Sequence, residues 1–291
     1  MQSHDLSLPL NFPQTFLPDR RLLRALLAFA ASGGSGNKVA IGHITGIPTG
    51  NSTGKVEPMI RYALGMGLIT AAKTGSSWQL NLTPLGTMVQ REDPFLSEPV
   101  TLWLLHILLS RRCGHNLPAV GVADAWFALF AEGGFRLGTR FNQADYFDFL
   151  RSRYGEKSYL KSLSGLVPRM YAEDSSFAAI GALILDDATD APHWIRTAAP
   201  IEHAFFPAYA AYLYLLWDEN YADTRQVIFE DFARDMRLLA LLGWNASDVQ
   251  HWLDWLADSG LVKIDRYTGD AVLLRLRETD EVVNALYSEL V

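Results

Sequence analysis

The chain of 291 residues has one cysteine, Cys113. A single thiol excludes an internal disulfide and a zinc site built from several thiolates. A reducing compartment fits that usage, and a cytoplasmic location is expected. The apolar runs at residues 102–109 and 178–185 fall well short of the ~20 residues that a membrane-crossing helix needs. The N-terminal stretch lacks a basic segment followed by an apolar one, so no secretory leader is expected there. A phosphate-binding loop of the Gly-x-x-x-x-Gly-Lys-Ser/Thr kind is also missing. Gly54-Lys55 supplies its end, but Thr49 stands where the first glycine belongs and Val56 follows the lysine.

Charge of one sign is scarce locally. The net charge is −7. Residues 1–92 hold eight lysines and arginines against four acids, residues 93–140 balance, and residues 141–170 carry an excess of two cations. Residues 171–291 hold twenty-one acids against eight cations. A polyanion is therefore attracted to the front of the chain and repelled by its rear. Nucleic-acid binding, where it occurs, is one-sided.

One pattern is present twice. Residues 55–86 and 248–276 each read as an amphipathic helix, then Gly-Leu-Ile or Gly-Leu-Val, then a strand, a glycine turn and a second strand. Ahead of the first copy, residues 19–31 predict a helix with Leu22, Leu23, Leu26, Leu27 and Ala30 on one face. Residues 39–46 predict a shorter one, and Ser52 or Thr53 is placed to cap the third. Helix, helix, turn, helix and hairpin is the order of a winged helix, a module that most often binds nucleic acid. The expected class is mainly α with small β-hairpins (α+β). It divides into an N-terminal winged helix at 1–92, a helical middle at 93–220 and a winged-helix-like end at 221–291. Residues 177–184 read equally well as strand or buried helix.

The candidate DNA contacts fall in two groups. Asn51, Ser52, Thr53, Lys55 and Arg61 stand at the start and exposed face of the third helix, and Lys73 lies on the wing. Small polar donors at a helix N-terminus suit a phosphate, while asparagine and arginine can read base edges. The competing use of such a module is protein contact. Arg151, Arg153, Lys157, Lys161 and Arg169, interleaved with Tyr154 and Tyr159, form the second group. They suit a phosphate backbone, or simply a solvated helix face balanced by Asp145, Asp148 and Glu156.

Metal and catalytic signals are weaker. Asp186, Asp187, Asp190 and His193 cluster, but an exposed acidic loop is the favoured account. His106, inside an apolar run, is expected to be a core histidine hydrogen-bonded to a neighbour. His43, His115 and His251 have no partner at ligand spacing.

Three stretches carry a family resemblance. They are residues 46–69, residues 82–109 with Leu-Thr-Pro-Leu-Gly, Asp-Pro-Phe-Leu and Thr-Leu-Trp-Leu-Leu-His, and residues 157–171. They resemble the SspB-like family of bacterial DNA phosphorothioation systems, which is catalogued as a domain of unknown function. The resemblance implies a DNA-binding component of a modification and defence system that replaces a non-bridging phosphate oxygen with sulfur. It further implies sequence-selective nicking of DNA, with Mg²⁺ or Mn²⁺ as the cofactor of that step. The partners it implies are double-stranded DNA, a sulfur-activating enzyme and an ATPase; a homodimer is also expected. No catalytic or metal-binding residue carries over to a matching position. Many relatives have His-Glu-Thr-Phe where this chain has Pro13-Gln14-Thr15-Phe16. Glu92, Asp93 and Glu98 are available carboxylates, although a helix cap beside Pro94 is their favoured role. The alternative function is a non-enzymatic transcription regulator or protein adaptor.

Overall fold

The first helix begins where the Asp19 carboxylate accepts hydrogen bonds from the backbone amides of Arg21 and Leu22. It is α1 (Arg20–Ala31) in a computed structural model that describes residues 7–50, 54–187, 192–266 and 269–290. The molecule is mainly helical with small antiparallel sheets. The predicted apolar face of α1 is buried. After it come β1 (Ser35–Asn37), α2 (Lys38–Thr45), α3 (Val56–Gly65), β2 (Ile69–Thr74) and β3 (Ser77–Leu82). The glycine-rich stretch that follows α1 supplies β1. That strand pairs antiparallel with β3, placing Gly36 opposite Trp78. Between β2 and β3, Gly75 takes φ +60°, a conformation glycine reaches without a Cβ penalty.

Ser52 and Thr53, expected to cap α3, lie outside the described residues together with Asn51. The residue at the N-cap position is Lys55, which makes no side-chain cap bond. Its backbone N–H donates instead to the Pro48 carbonyl at 2.9 Å.

The Leu-Thr-Pro-Leu-Gly motif has a structural task. It starts α4 (Pro84–Glu92). Thr83 accepts from the Gly86 amide at 2.9 Å and donates to the Gly67 carbonyl at 2.6 Å. A Cβ on Gly86 would lie 1.9 Å from the Leu68 carbonyl oxygen. The motif thus closes the hairpin onto the turn that precedes it. Gly86→Ala should destabilise the protein by about 3 kcal/mol or more, because backbone cannot move aside as a side chain can. Denaturant unfolding checks this, and a loss under about 1 kcal/mol would contradict it.

In the middle, α5 (Pro99–Leu109) is buried on every side from Val100 onward, as its composition demands. Asp93, in the Asp-Pro break before it, accepts from the amides of Ser97 and Glu98 at 2.9 and 3.0 Å. That carboxylate braces the loop between α4 and α5 rather than capping α5, whose N-cap residue, Glu98, makes no side-chain cap bond; Asp93 ends α4 through its backbone N–H to the Val89 carbonyl. There follow β4 (Arg112–Cys113), β5 (Val120–Gly121), α6 (Asp124–Phe127), a π-helical turn at Ala128–Glu132 and α7 (Gly133–Arg136). Next are β6 (Arg140–Phe141), α8 (Gln143–Tyr154) and α9 (Leu160–Arg169). Asn142 and Asp145 form a capping box at the start of α8. The ambiguous stretch resolves into a 3-10 turn at Ala178–Ile180 and β7 (Leu183–Asp186), which pairs with β8 (His193–Arg196).

The rear repeats the front's connectivity with one short helix added. A 3-10 turn at His203–Phe205 leads into α10 (Phe206–Asn220), then β9 (Gln226–Ile228), α11 (Phe229–Asp235), α12 (Leu238–Leu242) and α13 (Ala246–Asp258). β10 (Val262–Asp265) and β11 (Val272–Arg275) form the second hairpin, and α14 (Thr279–Asn284) follows. Strand order is β10-β11-β9 here and β1-β3-β2 in front, so the short leading strand joins the hairpin's second strand in both.

Front and rear share one core. A continuous cluster of buried side chains runs from Leu8 to Leu286. α10 packs on α5 and α14, and α14 packs on α4. The Thr101 and Tyr287 hydroxyls are hydrogen-bonded at 2.8 Å. Arg111 adds a polar tie. Its guanidinium donates to the Gly65 and Leu108 carbonyls and makes a two-point pair with Glu219 on α10.

Candidate nucleic-acid interface

Of the ten residues of α3, seven are buried, which leaves Glu57, Arg61 and Leu64 partly open. The helix therefore offers a groove one cation, one carboxylate and one apolar group. Arg61 is the only member of the first candidate group that lies within α3 itself. Its guanidinium carbon stands 5.9 Å from the centre of the Trp78 ring, and the Lys73 ammonium stands 4.8 Å from the same ring. Lys73 also pairs with Glu57 at 2.6 Å. Tertiary folding thus gathers Arg61, Lys73, Glu57 and Trp78 into one cluster, of which the sequence spacing marks only the two cations. Lys55 sits apart, with its ammonium 5.8 Å from the Phe16 ring.

Glu57 has a carboxyl held below its ordinary range. The hydrogen bond from Lys73 is the main cause, opposed by partial burial and helped by the charges of Lys73 and Arg61. A depressed carboxylate contributes its attraction above the ordinary carboxylate range and loses it as pH falls through the lowered value. At neutral pH it offsets one of its two cations. Glu57→Gln should therefore strengthen binding to duplex DNA and steepen its salt dependence by about one unit. Fluorescence anisotropy at several salt concentrations reads the change, and a weaker complex would contradict it.

The second candidate group divides. Arg153 points inward, with a side chain 15% exposed. It pairs with Asp124 at 3.2 Å and with Glu132, and it packs beside the rings of Phe127 and Tyr154. Burial opposes its charge, but Tyr154, Asp124 and Glu132 outweigh that and hold the guanidinium protonated. The expectation that it lies on a solvated basic face is corrected: it ties α8 to α6 and the π-helical turn. Arg151 is exposed but pairs with Asp148 at 2.9 Å and Glu156 at 3.8 Å. Lys157 and Lys161 are exposed and make no ion pair among the described residues. Among those residues, no hydrogen bond, ion pair or ring contact joins this group to the Trp78 cluster.

Three of the carboxylate candidates are already engaged. Asp93 is filled by Ser97 and Glu98, and Glu92 pairs with Arg91 at 2.6 Å. Asp186 pairs with Arg140 at 2.9 Å, and Asp190 lies outside the described residues. Among the described residues no group of three or more histidine, cysteine and acidic side chains is arranged to hold a metal ion. Residues 50–54 spell Gly-x-Ser-x-Gly, but a nucleophile elbow needs a strand before it, and the preceding element is α2.

His106 is the core histidine expected. Its Nδ1 lies 2.7 Å from the Tyr171 hydroxyl, and burial pushes its pKa down to about 3. The imidazole stays neutral and does not serve as a proton carrier near pH 7. Nothing in their linear spacing joins His203 and His251, whose Nε2 atoms meet 3.2 Å apart.

No family model matches the chain, and no curated protein does. Solved structures do match. A magnesium ion-bound SspB crystal structure superposes with a TM-score of 0.72 at 17% identity, covering 96% of this chain and 87% of that one. Another SspB crystal structure gives 0.68 at 18% identity over the same shares. Almost the whole of this chain therefore adopts the SspB fold.

Proposed function

We propose that this protein is the DNA-engaging component of a bacterial DNA phosphorothioation system. The observation that carries the proposal is the SspB-like fold over 96% of the chain. The charge distribution supports it, with cations in excess in front and acids behind. The front repeat is taken as a winged helix. Lys55, Arg61 and Lys73 are its DNA contacts, with Asn51, Ser52 and Thr53 in the adjoining loop. Lys157 and Lys161 form a separate contact to the phosphate backbone, and Arg151 is a lesser contributor because two carboxylates hold it. The acidic rear docks partner proteins, namely the sulfur-activating enzyme and the ATPase of such a system, since DNA is repelled there. No helix among the described residues is long and apolar enough to cross a membrane.

Strand nicking is a second reading, favoured by the magnesium ion in one SspB structure. The donors described here do not fit a hard divalent cation, which takes several oxygen ligands. Asp93 and Asp186, the best-placed carboxylates, are committed to amides and to an arginine. No catalytic step is therefore derived through a metal. Supercoiled plasmid incubated with the protein and Mg²⁺ or Mn²⁺ separates the alternatives. Open circles that EDTA abolishes would establish nicking. Intact supercoils with a persisting mobility shift support a DNA-binding adaptor. No shift in any buffer would remove the DNA proposal itself.

A further inference from the structure

His203 and His251 are forty-eight positions apart and come from different elements. His203 opens the 3-10 turn that leads into α10, and His251 lies on α13. Both side chains are exposed, and each Nε2 has the other as its partner at 3.2 Å. Their rings are 5.2 Å apart and inclined by 37°. Phe206 packs against both, at 5.1 Å from His203 and 5.3 Å from His251. That ring lies beside both imidazoles and limits the space open to each.

The separation has a chemical meaning. Imidazole nitrogens bind zinc-class ions at roughly 2.0–2.1 Å. Two such nitrogens on one tetrahedral ion then lie roughly 3.3–3.4 Å apart, and two at right angles roughly 2.9 Å apart. The observed spacing falls between these limits. A single N–H···N hydrogen bond between neutral rings would give a similar distance, and metal titration distinguishes the two. Among the described residues no further histidine, cysteine or acidic side chain joins the pair in a set of three or more.

We propose that His203 and His251 form a two-imidazole chelate for a borderline divalent transition ion of the zinc class, clamping the start of α10 to α13. The remaining coordination positions are open to water or to a donor group from a partner. Nitrogen ligands disfavour Mg²⁺, so this site would select a different ion from the magnesium of the SspB crystal structure. It also stands independently of the DNA proposal.

The test is calorimetric titration of the full chain with ZnCl2, beside His203→Asn and His251→Asn. Both substitutions are at exposed positions, and matching thermal unfolding without metal checks that each variant folds. The expected result is one zinc ion per chain, weakened by about tenfold or more in either variant and not displaced by excess MgCl2. Zinc should also raise the Tm of the wild-type chain and leave that of both variants in place. Co²⁺ in place of zinc should show visible bands that both substitutions remove. Zinc binding of equal strength in all three proteins, a loss in only one variant, or no binding by the wild-type chain would each overturn the proposal.

Discussion

Arg111→Ala should lower the free energy of unfolding by about 3–5 kcal/mol, measured by guanidinium or urea denaturation. The Arg111 side chain is 2% exposed, while its partner Glu219 is 42% exposed. Burial works against the charge, and Glu219, with smaller help from Tyr212 and Cys113, more than compensates for that. Removing the guanidinium leaves the Gly65 and Leu108 carbonyls without their donor and a carboxylate without its fork. It also opens a space at the junction of α3, α5 and α10. Arg111→Lys should fall between alanine and the wild-type chain, because an ammonium cannot make the same two-point contact. A loss below about 1 kcal/mol for alanine would show that the front and rear repeats do not depend on this tie.

Lys55→Ala combined with Arg61→Ala should flatten the salt dependence of DNA binding by about two units, one for each lost phosphate contact. At about 50 mM salt the affinity should drop by about a hundredfold, and the difference should shrink as salt rises. Both residues are partly exposed, and no ion pair among the described residues holds either one. Their removal therefore tests binding with little expected cost to stability. Lys157→Ala with Lys161→Ala is the companion measurement. An unchanged slope in the first pair and a flattened one in the second would move the interface to α9. A flat response in both would remove DNA from these faces.

The sequence motifs that carry the family resemblance turn out to do different kinds of work. The Leu-Thr-Pro-Leu-Gly segment is architectural, since Thr83 and Gly86 close a hairpin against backbone. The Asp-Pro break is architectural as well, since the Asp93 carboxylate holds the amides of the loop that leads into α5. The loop before α3 is the part with functional promise, and it includes the residues outside the described set. A resemblance resting on fold-holding residues speaks more strongly for shared architecture than for shared chemistry.

Local chemistry made much of this protein legible from its sequence. Apolar spacing predicted α1 and α3, and both hairpins followed from their glycine turns. The uniform apolarity around His106 marked a buried helix, and the imidazole is in the core. These features depend on residues within one or two turns of each other, so linear spacing records them. The three-residue strands β1 and β9 were not legible, because their pairing depends on partners some forty residues away. Tertiary packing alone turned Arg153 inward, hid most of α3, drew Arg61 and Lys73 to one tryptophan and brought His203 to His251. Side-chain type determines what a residue is able to bind; only the path of the chain determines which side chains share a place, because that depends on burial summed over the whole molecule.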